Sequence, residues 1–134
     1  MITQQTDSFH LLSNWKVNFL NTIDTQIVQQ YINRYQGTEV YLHLETTSGA
    51  YATHHEKKFT SGAFIRNAKV SYLHGKITGA GPYRVGLEMA DGWIYAEGLT
   101  HFILDEQDRL LLLGIDYDGK LAVTLELSAT PFPK

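Results

Sequence analysis

The stretch Tyr83–Leu99, YRVGLEMADGWIYAEGL, decides the fold because it reads as two β-strands joined by a tight turn. Apolar and polar residues alternate on both sides of Asp91-Gly92, as expected for strands with one buried face. Asp-Gly is a strong signal for a two-residue hairpin turn, since both positions tolerate a positive φ. A turn made of these two residues places Arg84 opposite Leu99 in an antiparallel hairpin.

The chain from Glu39 onward repeats this pattern of short alternating runs, and Asp118-Gly119 gives a second hairpin signal. The other runs are EVYLHLETT, FTSGAFI and AKVSYLHGKIT (the last two separated by Arg66-Asn67), HFILD, LLLLGID and KLAVTLELS. No helical pattern lies between them, which excludes parallel strand–helix–strand units. We expect a mainly β fold of eight or nine antiparallel strands, either barrel-like or a two-sheet sandwich.

One helix is predicted before the strands. Apolar residues recur every three to four positions from Ile23 to Tyr35, which is the period of an amphipathic helix over residues 22–36. Residues 1–21 lack a clear strand pattern, so we expect an N-terminal extension that is disordered or precedes the true start. Residues 22–134 then form a single β domain led by the helix.

Composition limits the classes of function. The chain of 134 residues carries 11 Lys and Arg against 14 Asp and Glu, a net charge of −3, without the basic stripe of a nucleic-acid-binding protein. The lack of cysteine excludes disulfides, thiolate metal sites and cysteine nucleophiles. No apolar run approaches the ~20 residues of a membrane span, and the N-terminus does not resemble a signal peptide. We expect a cytoplasmic protein that binds neither nucleic acid nor membrane.

The segment HLETTSGAYATHHE, residues 43–56, raises a metal-site hypothesis. If Ser48-Gly49 form a two-residue loop, two histidines lie directly opposite each other, with Cβ atoms ~5 Å apart. The candidate ligands are His43, Glu45 and His54, with His55 replacing His54 in a three-residue loop, and with His74 and His101 as further ligands in space. Two histidines and a carboxylate suit iron, zinc or manganese. Polar cross-strand pairs are equally typical of the wet face of a plain hairpin.

A second set of candidate residues lies on the polar face of the Asp91-Gly92 hairpin. It comprises Arg84, Trp93, Tyr95 and Glu97, with Tyr83, Glu88 and Arg66 as neighbours. Aromatic rings with charged side chains beside them are typical of a site for a small polar ligand or a sugar. They are equally typical of an oligomer interface or of a plain structural surface. Glu88 and Glu97 as a glycosidase-like pair would need one desolvated carboxylate.

Five blocks of this sequence, in the same order, resemble the YojF family of small bacterial proteins. The blocks are YLHLETTSGAY, FIRNAKVSY, GPYRVGL, GWIYAEGLT and GKLAVTLELSATPF, and the resemblance runs from about Thr22 to Phe132. It implies a mostly β, barrel-like fold with an N-terminal helix, and it implies no activity and no catalytic residues. Family members often sit beside an LmbE-type deacetylase of bacillithiol synthesis, which makes that deacetylase a candidate partner by association.

We therefore expect a non-enzymatic binding or accessory protein without a cofactor, whose partner is the LmbE-type deacetylase or a small polar metabolite. Its binding residues are expected to be Arg84, Trp93, Tyr95 and Glu97. The alternative is a metal-dependent enzyme that binds a divalent ion through His43, Glu45 and His54 on the predicted hairpin 40–56. We expect a homodimer rather than a monomer, because two-fold pairing is the commonest assembly.

Overall fold

A computed structural model describes residues 20–47 and 62–134 of the chain. Within these ranges the chain forms one α-helix and nine β-strands in two antiparallel sheets. This confirms the predicted mainly β fold with a leading helix. Of the two expected forms the two-sheet one is observed, because the described sheets do not close into a barrel.

The elements are β1 Asn21–Thr22, α1 Thr25–Tyr35, β2 Val40–Thr47, β3 Gly62–Val70, β4 His74–Gly79, β5 Tyr83–Glu88, β6 Trp93–Leu99, β7 His101–Leu104, β8 Leu110–Ile115 and β9 Leu121–Ser128. The large sheet has six strands in the order β1-β7-β8-β9-β2-β3, and the small sheet has three in the order β4-β5-β6. In the described ranges no helix has the length and apolarity that crossing a bilayer requires.

Helix α1 begins at Thr25 rather than at the predicted residue 22. Asp24 is the N-cap, and its carboxylate accepts hydrogen bonds from the backbone N–H groups of Gln26 at 3.0 Å and Ile27 at 3.3 Å. The two residues before it form β1, which pairs with β7. A two-residue strand has no alternation that a sequence pattern can detect, so the sequence predicted helix there.

The Ser48-Gly49 turn predicted for the hairpin 40–56 lies outside the described residues, and the described strand β2 has other partners. Strand β2 pairs with β9 along one edge and with β3 along the other, so both edges are occupied at His43. The predicted partners of His43, namely His54 and His55, lie outside the described ranges. Strand β3 also runs through the predicted break at Arg66-Asn67, where the chain forms a β-bulge against β2 and Asn67 adopts a φ of 58°.

The hairpin of β5 and β6 is present with a different register. Glu88 lies opposite Trp93, and the backbone N–H of Met89 donates to the Gly92 carbonyl at 2.8 Å, so the two loop residues are Ala90 and Asp91 instead of Asp91 and Gly92. Arg84 consequently lies opposite Glu97 and not Leu99. A shift of two residues leaves every side chain on its predicted face, whereas a shift of one would reverse the faces.

A shared apolar core joins the helix and the two sheets. It contains Val28 and Ile32 from α1, Val85, Leu87 and Ala96 from the small sheet, and Leu42, Leu112, Leu125 and Leu127 from the large sheet. The inner faces of both sheets are used for packing against this core. The outer face of the small sheet is therefore where polar side chains gather, whereas the outer face of the large sheet holds a second apolar cluster of Ile103, Leu111 and Phe132.

Candidate functional site

The outer face of the small sheet carries all four residues predicted for a polar-ligand site. The Nη2 of Arg84 donates a hydrogen bond to Glu97 Oε2 at 3.0 Å. The Arg84 guanidinium also lies over the ring of Tyr95, 4.7 Å from its centroid. The rings of Trp93 and Tyr95 are parallel within 2°, with centroids 5.6 Å apart. These contacts connect the four side chains into one row, which we call the aromatic–ionic row.

The aromatic–ionic row is held in place by its own contacts and remains open to solvent. Trp93 is 55% exposed and Tyr95 is 47% exposed. The hydrogen bond to Glu97, followed by the negative charge of that residue, raises the pKa of the Arg84 guanidinium above its ordinary value. The row thus presents ring surface and charged groups that already contact one another without a ligand.

Gly86 makes room for the row at the centre of the small sheet. It lies directly opposite Tyr95, and a Cβ atom built on it would lie 2.9 Å from Tyr95 Cε1. Any larger residue would therefore displace the ring. The glycine lets the aromatic side chain cover the backbone of β5, which accounts for the burial of Gly86 on an otherwise exposed face.

Two β-bulges lie beside the row and face each other across the two sheets. In β6 the extra residue is Gly98, with a φ of 81°, where the register shifts between Tyr83 and Arg84. In the large sheet the register of β8 against β9 shifts between Gly114 and Ile115. A Cβ atom on Gly114 would lie 2.3 Å from the Gly98 carbonyl oxygen. The sheets therefore touch backbone to backbone at the bulges.

A cleft of about 870 Å³ opens next to this contact, and we call it the bulge cleft. Its small-sheet wall contains Pro82, Tyr95, Glu97 and Gly98, and the rest of its described lining is Thr46, Thr47, Thr100, Gly114, Ile115, Asp116, Tyr117, Ala122 and Val123. Hydroxyl and carboxylate groups are set among apolar surfaces. This mixture and this volume are typical of pockets that hold small organic ligands.

A smaller pocket of about 260 Å³ adjoins the bulge cleft. Its described lining is Thr78, Gly79, Pro82, Tyr83, Arg84, Glu97 and Gly98. The two cavities share Pro82, Glu97 and Gly98, so Glu97 stands at their junction. Trp93 is not part of the described lining of either cavity, and its exposed ring faces solvent beside them.

The carboxylate pair considered for glycosidase-like chemistry is not formed. Glu88 lies opposite Trp93, whereas Glu97 lies opposite Arg84. These two positions of β5 are four residues apart, which separates them by roughly 13 Å along a strand. Proximity of Glu88 and Glu97 is therefore excluded by the register.

His43 occupies a different surface, on the outer face of the large sheet. It is only 5% exposed, and Arg66 Nη1 lies 3.1 Å from its Nδ1. Since a guanidinium can only donate, Nδ1 accepts, and the proton of the neutral ring is on Nε2. Nε2 lies 3.3 Å from Glu45 Oε1 and donates to it. Both ring nitrogens are thereby used, and Arg66 belongs with His43 and not with Arg84.

The other proposed metal ligands do not join His43 in the part of the chain that the structure describes. His54 and His55 lie outside the described residues. His74 is on the small sheet, and His101 on β7 is three strands away from β2, roughly 14 Å. Residues 20–47 and 62–134 contain no group of three His, Cys, Asp or Glu that could hold a metal ion. The metal site stays a hypothesis.

Sequence comparison identifies the family. The chain is 52% identical over 114 residues to the "Uncharacterized protein YojF" of Bacillus subtilis (strain 168), an alignment that covers 84% of this chain and 98% of the relative. The chain belongs to the YojF family. Residues 22–132 also match the family described as "Protein of unknown function (DUF1806)". The crystal structure of Bacillus subtilis YojF protein superposes with a TM-score of 0.73 at 47% identity, over 86% of this chain and 98% of that one.

Membership in the YojF family confirms the resemblance seen in the sequence blocks, and the YojF crystal structure supports the same fold. The names of these relatives assign no activity, and the chemistry that this YojF-family chain can perform follows from its own geometry. Sequence reasoning found the aromatic–ionic row but missed the far wall of the bulge cleft, including Thr46, Asp116 and Tyr117. Asp116 and Tyr117 precede the Asp118-Gly119 turn signal, but nothing in the sequence indicates that this turn faces β6.

Proposed function

We propose that this YojF-family protein is a non-enzymatic binding protein that holds a small polar metabolite in the bulge cleft. The observation that carries the proposal is the junction at Glu97. There a half-exposed Tyr95 and the Glu97 carboxylate, both in contact with Arg84, form part of the wall of a cavity of about 870 Å³. A placed aromatic ring beside a placed charge is what orients a small polar ligand.

Preorganisation supports binding at this wall. Ordering a flexible side chain on association costs about 0.5–1.5 kcal/mol. Tyr95 is already packed against Trp93, and Glu97 is already hydrogen bonded to Arg84. A ligand that contacts Tyr95 and Glu97 therefore binds groups that folding has already ordered, so less entropy is lost on binding.

The described lining favours recognition over a reaction. Nucleophilic catalysis requires a nucleophile within hydrogen-bond reach of a base that is itself oriented by a third group. The hydroxyl of Thr100 instead accepts from the backbone N–H of Ile115 at 3.0 Å and so supports β8 where its register against β9 shifts. The carboxylate of Asp116 accepts from two backbone N–H groups of its own turn. These groups hold the shape of the cleft.

The test is a thermal-shift screen of the full chain against a panel of small sugars, sugar phosphates, amino acids and carboxylic acids. We expect at least one class to raise the melting temperature in a saturable way. Hits are titrated by tryptophan fluorescence in a Trp15→Phe background, where Trp93 is the remaining tryptophan. The Glu97→Gln variant should weaken binding about tenfold, which is about 1.4 kcal/mol.

Glu88→Gln is the matched control for Glu97→Gln. Glu88 lies on the same face of the small sheet but opposite Trp93, outside the described lining of both cavities. Its substitution should leave affinity within about twofold of the parent protein. Equal losses in the two variants, or no saturable shift from the whole panel, would contradict the proposal.

The exposed ring of Trp93 favours a second candidate function, that of an accessory protein. Trp, Tyr and Arg are the residues most enriched at the energetic centres of protein interfaces, and Trp93 stands outside the described lining of both cavities. The candidate partner is the LmbE-type deacetylase. Surface plasmon resonance with the purified deacetylase should show binding that Trp93→Ala abolishes and Leu73→Ala, at another exposed apolar residue, does not. If the parent protein shows no binding to the deacetylase, or if Trp93→Ala binds as well as the parent, this candidate function is ruled out.

A further inference from the structure

We infer that the ligand of the bulge cleft is an uncharged carbohydrate of at least two ring units, which extends past Glu97 from the smaller pocket into the bulge cleft. This inference rests on the proposed function, because it names the ligand class of the same site. It also assigns a binding role to Tyr117 and Asp116, on the wall that the sequence did not predict.

The first step is the continuity of the two cavities. They share Pro82, Glu97 and Gly98, and their volumes are about 870 and 260 Å³. Pockets for drug-sized ligands range over about 300–1,000 Å³. The combined space therefore suits a molecule with two connected parts, one on each side of Glu97, better than a single compact ring.

The second step is the charge of the lining. Glu97 is held through Oε2 by Arg84, and Asp116 is held through Oδ1 by the backbone N–H groups of Asp118 and Lys120, each at 2.9 Å. Fixed carboxylates accept hydrogen bonds from ligand hydroxyl groups. An anionic ligand would be repelled by the carboxylate of Asp116, which accepts from neutral backbone N–H groups. Because the positive charge of Arg84 already balances the negative charge of Glu97, this pair does not favour a cationic ligand either.

The third step is the position of the aromatic rings. Tyr95 lies on the small-sheet wall and Tyr117 on the turn between β8 and β9, so each side of the cleft has one. Tyr117 is fully exposed, which means that the fold does not need its ring for packing. The C–H face of a sugar ring packs against the negative face of an aromatic ring while its hydroxyl rim stays free for hydrogen bonds. Tyr83 lines the smaller pocket as Tyr117 lines the bulge cleft, so each cavity offers one ring subsite.

The experiment is isothermal titration calorimetry of the full chain with methyl β-D-glucopyranoside, cellobiose and cellotriose as probes. Glucose 6-phosphate and spermidine are the anionic and cationic comparators. We expect cellobiose to bind about tenfold more tightly than the single-ring glucoside. Tyr117→Ala should remove this gain and leave the affinity for the single-ring probe within about twofold. Leu73→Ala, another exposed apolar residue, should change neither affinity.

The outcomes separate this inference from the proposed function. Equal affinity for one and two rings, or a gain that survives Tyr117→Ala, overturns the two-subsite inference. If glucose 6-phosphate or spermidine binds more tightly than cellobiose, and Glu97→Gln weakens that binding, the ligand of the site is charged. This result overturns the uncharged ligand class and leaves the proposed function standing. If neither these probes nor the wider metabolite panel binds, the proposed function fails and this inference fails with it.

Discussion

Gly98 and Gly114 determine how closely the two sheets approach beside the bulge cleft. Gly98 has a φ of 81°, which L side chains rarely adopt. Gly114 has space for hydrogen only, because a Cβ atom would lie 2.3 Å from both the Gly98 oxygen and Val123 Cγ1. A backbone oxygen cannot rotate away as a flexible side chain can. The shape of the cleft floor therefore depends on the absence of two side chains.

Gly114→Ala is expected to destabilise the protein by about 2 kcal/mol, because an added methyl group in a closed contact forces the sheets apart. Urea unfolding followed by circular dichroism measures the loss. Gly92→Ala is the control, since the nearest atom to its added Cβ is the flexible Met89 Cε at 3.9 Å. The Gly92 variant should stay within about 0.5 kcal/mol of the parent. Equal losses would show that the sheet contact is not tight.

Tyr72 makes the free energy of unfolding depend on pH, and this dependence can be tested by substituting that one residue. Its ring is fully buried and its hydroxyl donates a hydrogen bond to the Ile32 carbonyl. Burial, with a smaller contribution from Tyr35, raises the pKa of Tyr72 well above its ordinary value. The native state keeps a proton that the unfolded chain loses above pH ~10, so stability falls as the pH rises through that range.

We expect the parent protein to lose about 1 kcal/mol more unfolding free energy than Tyr72→Phe between pH 9 and pH 11. At neutral pH the Phe variant is expected to be about 1–2 kcal/mol less stable, because the Ile32 carbonyl loses its donor. Urea titrations at each pH measure both effects. Tyr117→Phe, at a fully exposed position, should match the parent throughout. Parallel pH profiles for the parent and Tyr72→Phe would contradict the account.

At the scale of elements, helix α1 protects the outer edge of β4. Gln29 Nε2 donates to the Gly75 carbonyl at 2.9 Å, and Gln29 Oε1 accepts from the Ile77 N–H at 3.0 Å. Gln36 Oε1 accepts from the Gly75 N–H at 3.3 Å. The amide side chains thus occupy backbone groups that an edge strand would otherwise offer to another chain.

Gln29→Leu is expected to destabilise the protein by about 1–3 kcal/mol, because the Gly75 carbonyl and the Ile77 N–H lose their partner in a half-buried place. Gln30→Leu on the same helix is the control, as that side chain is exposed. Urea unfolding compares the two variants. If Gln30→Leu is as destabilising as Gln29→Leu, the edge protection is not what stabilises β4.

The element scale also shows what the sequence pattern could predict. The Asp118-Gly119 signal is confirmed, with the Gly119 N–H donating to the Asp116 carbonyl at 2.9 Å in the turn between β8 and β9. The faces of Arg84 and Glu97 were also correct, because alternation survives a register shift of two. The bulges were not predicted, because a bulge is an extra residue in one strand relative to its partner strand, and the sequence pattern does not show which strands are partners. Gly98 carries a hint, as glycine within a strand often marks a bulge.

At the scale of the whole molecule, the order of the strands in the sheets could not be predicted from the sequence. Alternation shows which side chains share a face, and it does not show which strands are neighbours. The sequence therefore grouped Arg66 with Arg84, although the two lie on different sheets. It likewise paired His43 with His54, whereas the long-range pairing of β2 with β9 places Glu126 opposite His43.

The homodimer expected from the sequence stays a prediction at this scale. Light scattering coupled to size-exclusion chromatography should give about twice the chain mass of 15.2 kDa. A concentration series distinguishes a stable pair from a weak association. A mass of one chain throughout the series would contradict the prediction.

The most direct test of the central claim is an amide chemical-shift titration of the isotopically labelled full chain with the metabolite panel. At least one compound should cause saturable shifts that concentrate in the lining of the bulge cleft, at Gly98, Gly114, Asp116 and Tyr117. Glu97→Gln should weaken them and Glu88→Gln should not. Saturable shifts centred on helix α1 or on β3, or none from any compound, would contradict the claim that the bulge cleft binds a small polar ligand.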